Sequence, residues 1–140
     1  MHVTSPLGWE WIPGVSIGPI SFGDRAELHL KPLDLEEQER DFDGTAEWVV
    51  YWSRSGDLSV LAFNGRITLV TSEGVCAYRG RNLIGLTEPE LRSVLSDASC
   101  KLSDDPFGYS LEFDDLGLDV QIRDGRVARV TVSVDPDSVV

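Results

Sequence analysis

Pairs of carboxylates are the residues of this sequence with the clearest potential for chemistry. Two neighbouring carboxylates can act as a general acid and base, or bind a hard cation. No pair here has the DxDxDG-x5-E spacing of a calcium loop, and each falls at a predicted turn, where Asp accepts hydrogen bonds from the local backbone. We interpret them as solvated turns, with an electrostatic contact surface as the alternative. The pairs are Asp41 with Asp43, Asp104 with Asp105, and Asp114 with Asp115.

Other residue types give no catalytic motif. His2 and His29 are in neither HExxH nor HxH spacing, and the sequence contains no GxSxG elbow, Walker loop or GxGxxG. Cys76 and Cys100 belong to no CxxC or Cys/His cluster, which favours free thiols over a metal site. We therefore expect no catalytic residues, no metal and no cofactor, and a protein that is not an enzyme.

The charge of the chain limits its partners. The 140 residues include 24 acids and 12 bases, for a net charge of −12. This balance disfavours nucleic acid and anionic membrane surfaces, because proteins bind both through Lys and Arg. Neither a secretory signal nor an apolar run of about 18 residues is visible in this sequence, so we predict a cytoplasmic protein. The acidic surface either maintains solubility or meets a basic partner.

The elements that must position any site include a segment that occurs twice. LSVLAFNGRITLVT at 58–71 and LDVQIRDGRVARVT at 118–131 match at an offset of 60 residues. The Asn-Gly and Asp-Gly dipeptides predict hairpin turns, because these residue types tolerate positive φ. In the second hairpin we predict a three-residue loop ending in a glycine bulge, since that register places Val130 on the same face as Ile122.

A helix is predicted upstream of each hairpin. Thr87 is the N-cap of the second helix and Glu90 completes a capping box. Asp24 has the corresponding place in the first copy. Pro32 predicts that the first helix breaks just before it, and Asp34 predicts a short helical restart in the acidic stretch DLEEQERDFDG.

These elements predict an α+β fold. A further extended run lies between each helix and its hairpin, EWVVYW in the first copy and YSLEF in the second. We predict a tandem repeat of a helix and a three-strand antiparallel meander, forming one antiparallel sheet with the helices packed on one face. One unit is too short to bury its apolar face alone, and the second completes the burial. The expected organisation is a single domain over 1–140, with an N-terminal extension at 1–14 and repeats at about 15–73 and 74–135.

Aromatic residues are concentrated in the EWVVYW run. Trp48, Val50 and Trp52 alternate with Val49 and Tyr51, so both faces of the predicted strand are apolar. One interpretation is that the helices cover one face and the N-terminal segment, with its two tryptophans, covers the other. The alternative is that part of this set forms an exposed patch bordered by acids, which is typical of a binding hot spot.

Three segments together resemble a known group of proteins. GPISFGDRAEL, YRGRNLIGLTEPEL and FDDLGLDVQIRDGRVARVTV are arranged as in small bacterial tandem α/β-repeat proteins, which include the beta-lactamase inhibitor protein and toxin-immunity-type proteins. The resemblance covers most of residues 15–134. It implies a non-enzymatic protein that binds another protein through an exposed sheet face. Pro32 and the acidic insertion after it depart from the pattern.

The leading hypothesis is a protein-binding module of the immunity or inhibitor type that occludes a basic protein. Aromatic anchors would be buried by the partner, while carboxylates would steer the encounter. The partner-binding residues of this hypothesis are Trp48, Tyr51, Trp52, Asp114, Asp115 and Asp119.

Two alternatives remain open. One is a small-ligand or anion-binding domain with a pocket between sheet and helices, in which Arg79, Arg81 and Asn82 hold an anion beside the helix start at Thr87. The other is a self-associating structural protein, such as a homodimer, because exposed sheet edges invite symmetric pairing.

Overall fold

The protein is mostly β-structure. The computed structural model describes residues 8–96 and 98–139, in which strands account for 50% and helical turns for 14%. The predicted antiparallel sheet is confirmed. The predicted α+β repeat is wrong, because the helices are too short to form a layer on the sheet and each half of the sheet has four strands instead of three. His2 and the first half of the predicted N-terminal extension lie outside the described residues.

The first half of the chain begins with short elements and continues into four long strands. The short elements are β1 (Trp11–Ile12), β2 (Ser16–Ile17), β3 (Ile20–Ser21) and α1 (Glu27–Leu30). The long strands are β4 (Leu35–Phe42), β5 (Glu47–Ser53), β6 (Leu58–Phe63) and β7 (Arg66–Ser72).

The second half has a similar order of elements, with two short strands before its helix instead of three. Its short elements are β8 (Ala77–Tyr78), β9 (Arg81–Asn82) and α2 (Glu88–Val94). Its sheet strands are β10 (Lys101–Asp105), β11 (Gly108–Phe113), β12 (Leu118–Arg123) and β13 (Arg126–Ser133). Single 3-10 turns lie at Asp114–Leu116 and Pro136–Val139. Neither described α-helix has the length or apolar character of a membrane span.

The eight long strands form one antiparallel sheet with β7 and β13 at its centre. The spatial order is β10-β11-β12-β13-β7-β6-β5-β4, so two meanders meet through their last strands. Thr71 pairs with Thr131 at this junction, and their hydroxyl oxygens are 2.9 Å apart. These two residues occupy the same place in the two hairpins, so the sheet has an approximate two-fold axis between them.

The acidic stretch after α1 is a strand and not a helix. The helix ends at Leu30, before Pro32, as predicted. Asp34 does not cap a second helix but has a positive φ of 53° and precedes β4. The whole of β4 pairs with β5, from Leu35 opposite Ser53 to its far end. This pairing outweighs the helix propensity of the glutamates, because tertiary contacts routinely override local preference.

The two predicted helix caps have different outcomes. Thr87 forms the predicted capping box with Glu90 at the start of α2. Asp24 does not cap α1, whose N-cap is Ala26 without a side-chain hydrogen bond. The Asp24 carboxylate instead accepts hydrogen bonds from the Ser21 backbone N–H at 3.0 Å and from His29 Nε2 at 2.8 Å.

The β6–β7 and β12–β13 hairpins both turn through two residues. The three-residue loop predicted for the second of them is therefore wrong. Asp124 and Gly125 have φ values of 52° and 76°, and Ile122 pairs with Val127. A bulge at Ala128 then shifts the register. The bulge returns the following valines to the inner side of the sheet, which is the arrangement that the predicted loop was meant to achieve.

The first hairpin has the same register at an offset of 60 residues. Ala62 pairs with Ile67, and the register shift falls at Thr68. The contact of each hairpin with its preceding segment is also equivalent, since Arg66 donates to the Gly23 carbonyl and Arg126 to the Gly85 carbonyl, both at 2.9 Å. The repeat boundaries themselves stay a prediction.

One face of the sheet is buried beneath the short elements, and we call it the inner face. Val60 and Val120 lie at its centre, each 0% exposed. Trp11 from the N-terminal segment and Leu91 from α2 pack into the same core. The interpretation that the helices and the N-terminal segment cover opposite faces is therefore wrong, because both cover the inner face.

Candidate functional site

The opposite face of the sheet, here the open face, carries a cluster of partly exposed apolar side chains. Three come from β5 and three from the hairpin beside it. Side chains of directly paired residues point to the same face of a sheet, so the register of the strands places all six together. None of the six packs against the core. We call this cluster the apolar patch; it consists of Trp48, Val50, Trp52, Leu61, Phe63 and Leu69.

Cross-strand contacts hold the apolar patch together. Trp48 lies opposite Phe63, with ring centroids 5.3 Å apart in an edge-on arrangement. Val50, Leu61 and Leu69 form a continuous apolar row across three strands. Such pairs order the side chains, which lowers the entropic cost of any binding at this surface.

The other half of the open face has five polar residues and one glycine at the equivalent positions. The residues 60 positions after Trp52, Leu61 and Leu69 are Glu112, Gln121 and Arg129, respectively. The residues equivalent to Trp48, Val50, Trp52, Leu61, Phe63 and Leu69 are Gly108, Ser110, Glu112, Gln121, Arg123 and Arg129. The same sheet therefore forms with a polar face, so its folding does not require the apolar patch.

Acidic side chains on the edge strand β4 border the apolar patch. Glu36 lies opposite Trp52, Glu39 opposite Val50, and Asp41 opposite Trp48. All three acids are exposed, and the guanidinium of Arg54 contacts Glu36 at 3.2 Å. The apolar patch thus has a negative rim along one side, which favours the approach of a positively charged partner.

Tyr51 does not share the surface of the two tryptophans with which it was grouped. It lies on the inner face, is 9% exposed and belongs to the core. Alternation along β5 already separates it from Trp48 and Trp52. A partner docked on the open face could not contact all three rings.

The predicted acidic residues lie in the second half of the sheet. Asp119 is on the open face, in register with Glu112 on one side and Thr131 on the other. Asp114 and Asp115 are exposed in the turn after β11. Burial, together with the carboxylates of Glu112 and Asp114, raises the pKa of Asp119. These acids form a second negative region, separated from the apolar patch by the centre of the sheet.

The residues of the anion-binding alternative already have partners within the protein. Arg81 contacts Glu90 at 3.3 Å, and Arg79 stacks over the Tyr78 ring at 5.1 Å. Asn82 accepts a hydrogen bond from the Cys76 backbone N–H at 3.0 Å. Thr87 is engaged in the capping box. The structure brings these four residues near one another but does not leave a cluster of free donors.

Four members of the apolar patch were missing from the predicted site. Val50 shares the alternation of the tryptophans and could have been included from the sequence. Leu61, Phe63 and Leu69 required the pairing of β6 and β7, and Leu69 in particular reaches the open face only because of the bulge at Thr68. Within residues 8–96 and 98–139, no three His, Cys, Asp or Glu side chains are close enough to hold a metal.

Comparison with known proteins gives no relative. No protein-family model matches this sequence, and no curated protein or solved structure is significantly similar to it. The resemblance to tandem-repeat inhibitor and immunity proteins therefore stays a prediction.

Proposed function

We propose that this protein is a non-enzymatic binding module whose apolar patch is covered by a basic protein partner. The difference between the two halves of the open face carries the proposal. Of the six positions that are apolar in one half, five are polar and one is glycine in the other. Tryptophan, which occurs twice in the apolar patch, is enriched in binding hot spots.

Charge supports a basic partner over a second copy of the chain. Two copies that docked patch to patch would bring two acidic rims together at a net charge of −12 each, and like charges across an interface oppose association. A partner with Lys or Arg around an apolar centre would complement both the rim of β4 and the patch. Binding there would occlude the partner's own surface, as an inhibitor or immunity protein does.

The experiment compares capture by the wild-type protein and by Trp52→Glu, which introduces the residue of the equivalent position. The tagged chains are incubated with their native lysate at low and high salt, and bound proteins are identified by mass spectrometry. Each captured protein is then purified and its Kd measured. Leu28→Glu is the matched control, because Leu28 is 63% exposed on α1, away from the open face.

We expect a basic protein that the wild type and Leu28→Glu bind equally. Trp52→Glu should bind it at least about 30-fold more weakly, which corresponds to the loss of one hot-spot residue. Replacing Glu36, Glu39 and Asp41 with their amides should slow association and reduce its salt dependence. Equal binding by Trp52→Glu, or no protein captured by the wild type, would contradict the proposal.

A further inference from the structure

A cleft lies on the inner side of the first half, beside the turn between β5 and β6. Its volume is about 380 Å³, and its walls include Ser53 and Ser72. The equivalent positions are Phe113 and Val132, which are 1% and 0% exposed in the core. At these two positions the cleft has small polar residues where the second half has buried apolar side chains.

The walls of the cleft combine apolar and hydrogen-bonding groups. Trp9, Leu33 and Leu58 line it, and the hydroxyl of Ser53 is held in place by accepting the Leu58 backbone N–H at 3.1 Å. The Ser72 hydroxyl donates to the Val75 carbonyl at 3.0 Å. An apolar space of this size with a few fixed polar groups is typical of a small-molecule site.

The charged residues that line the cleft are both acidic. They are Asp34, which is paired with Arg54 at 3.5 Å, and Asp57; no Lys or Arg is among the described lining residues. The Asp57 carboxylate is oriented by the hydroxyls of Ser53 and Ser55, each of which donates to Oδ1. The Asp57 carboxylate and the Trp9 indole both line the cleft, and each attracts a positive group. The overall negative charge of the protein adds to that attraction.

We propose that this cleft binds a small organic ammonium ion with a short apolar substituent. The ammonium group pairs with Asp57, and the substituent occupies the space between Trp9, Leu33 and Leu58. This site faces away from the open face, so it is independent of the proposed protein-binding function. Its ligand is recognised by charge and by the volume that Ser53 and Ser72 leave free.

The test is an NMR titration of the full-length protein with n-butylammonium, 1-butanol and n-butyrate, three probes of similar size. We expect saturable shifts at Trp9, Leu33 and Leu58 with n-butylammonium, and binding of 1-butanol weaker by about ten-fold because the carboxylate contact is lost. Shifts that n-butyrate produces as strongly, or shifts located on the open face, would overturn the proposal. So would the absence of saturable shifts with n-butylammonium.

Variants separate the volume of the cleft from its chemistry. Ser53→Phe introduces the residue of the equivalent position and should abolish n-butylammonium binding. Ser53→Ala removes the same hydroxyl without filling the space and should bind within a few-fold of wild type. If Ser53→Phe does not fold, Ser72→Val provides the same comparison with less added volume and should weaken binding. Trp52→Glu should bind n-butylammonium unchanged. A folded Ser53→Phe protein that binds like wild type would show that the ligand lies elsewhere.

Discussion

Neighbouring residues on β6 test whether the open face is a free surface. Val60 points into the core and is 0% exposed, whereas Leu61 belongs to the apolar patch. Glutamine at each position is the matched perturbation, because the second half of the sheet has Val120 and Gln121 in the same two places. The free energies of unfolding of the two variants should therefore differ strongly.

The expected magnitudes follow from the contacts of each residue. Leu61→Gln loses two cross-strand apolar pairs, with Val50 and Leu69, and should lower the free energy of unfolding by about 1 kcal/mol. Val60→Gln loses a fully buried side chain, for about 2 kcal/mol, and buries an amide without partners, for about 2 kcal/mol more. The predicted difference between the variants is about 3 kcal/mol.

Urea unfolding followed by circular dichroism measures this difference. With an m-value of about 2 kcal/mol/M, Leu61→Gln should lower the midpoint by about 0.5 M and Val60→Gln by about 2 M. Gln121→Leu is the reverse control and should change the midpoint little. If Leu61→Gln destabilises the protein as much as Val60→Gln does, the apolar patch is covered within the protein itself, and its interpretation as a docking surface is refuted.

Three further predictions concern electrostatics, capping and the backbone. Because burial and Glu112 raise the pKa of Asp119 in the folded state, the contribution of this residue to stability should fall as pH rises from 3.8 through its folded pKa. Asp119→Asn should therefore be more stable than wild type at neutral pH but not below 3.8, as measured by urea titrations at both pH values. Thr87→Ala should lower the unfolding free energy by about 1 kcal/mol because it removes the cap of α2, and Thr87→Ser should restore most of it. Gly117→Ala should lower the thermal midpoint by several degrees, because φ is 65° and the new Cβ would lie 2.2 Å from the Ser133 carbonyl oxygen; an unchanged midpoint would mean that the turn after β11 rearranges.

The sequence was most informative where local chemistry alone decides the structure. The Asn-Gly and Asp-Gly turns and the Thr87 capping box depend on a few adjacent residues, and the hairpins and the cap formed where they were expected. The three-residue loop was wrong because two solutions, a longer loop or a bulge at Ala128, restore the same apolar alternation. Sequence periodicity cannot distinguish them, since both return Val130 to the inner face.

The error in fold, and the members of the apolar patch that the sequence analysis did not include, arise where long-range pairing decides. The residues of β4 favour a helix by composition, and they form a strand because β5 supplies a neighbour along their whole length. Leu69 joins the apolar patch only through its pairing with Leu61. Tyr51 is different, because the alternation along β5 was sufficient to place it on the other face of the strand from Trp48 and Trp52. Grouping the three residues together disregarded that pattern.

The approximate symmetry of the sheet provides an internal control for function. Residues such as Val60 and Val120 fill a shared core, so packing requires both halves to be apolar there. Packing makes no such demand on the open face, nor at Ser53 and Ser72, where the second half shows that larger apolar side chains fit. Folding alone therefore explains what the halves have in common but not how they differ. The apolar patch and the two serines of the cleft are both differences of this kind, and each is located in the first half, on opposite faces of the sheet. A residue of the first half can be replaced with the residue found 60 positions later. If the replacement removes binding and leaves the fold intact, the original residue serves binding and not folding.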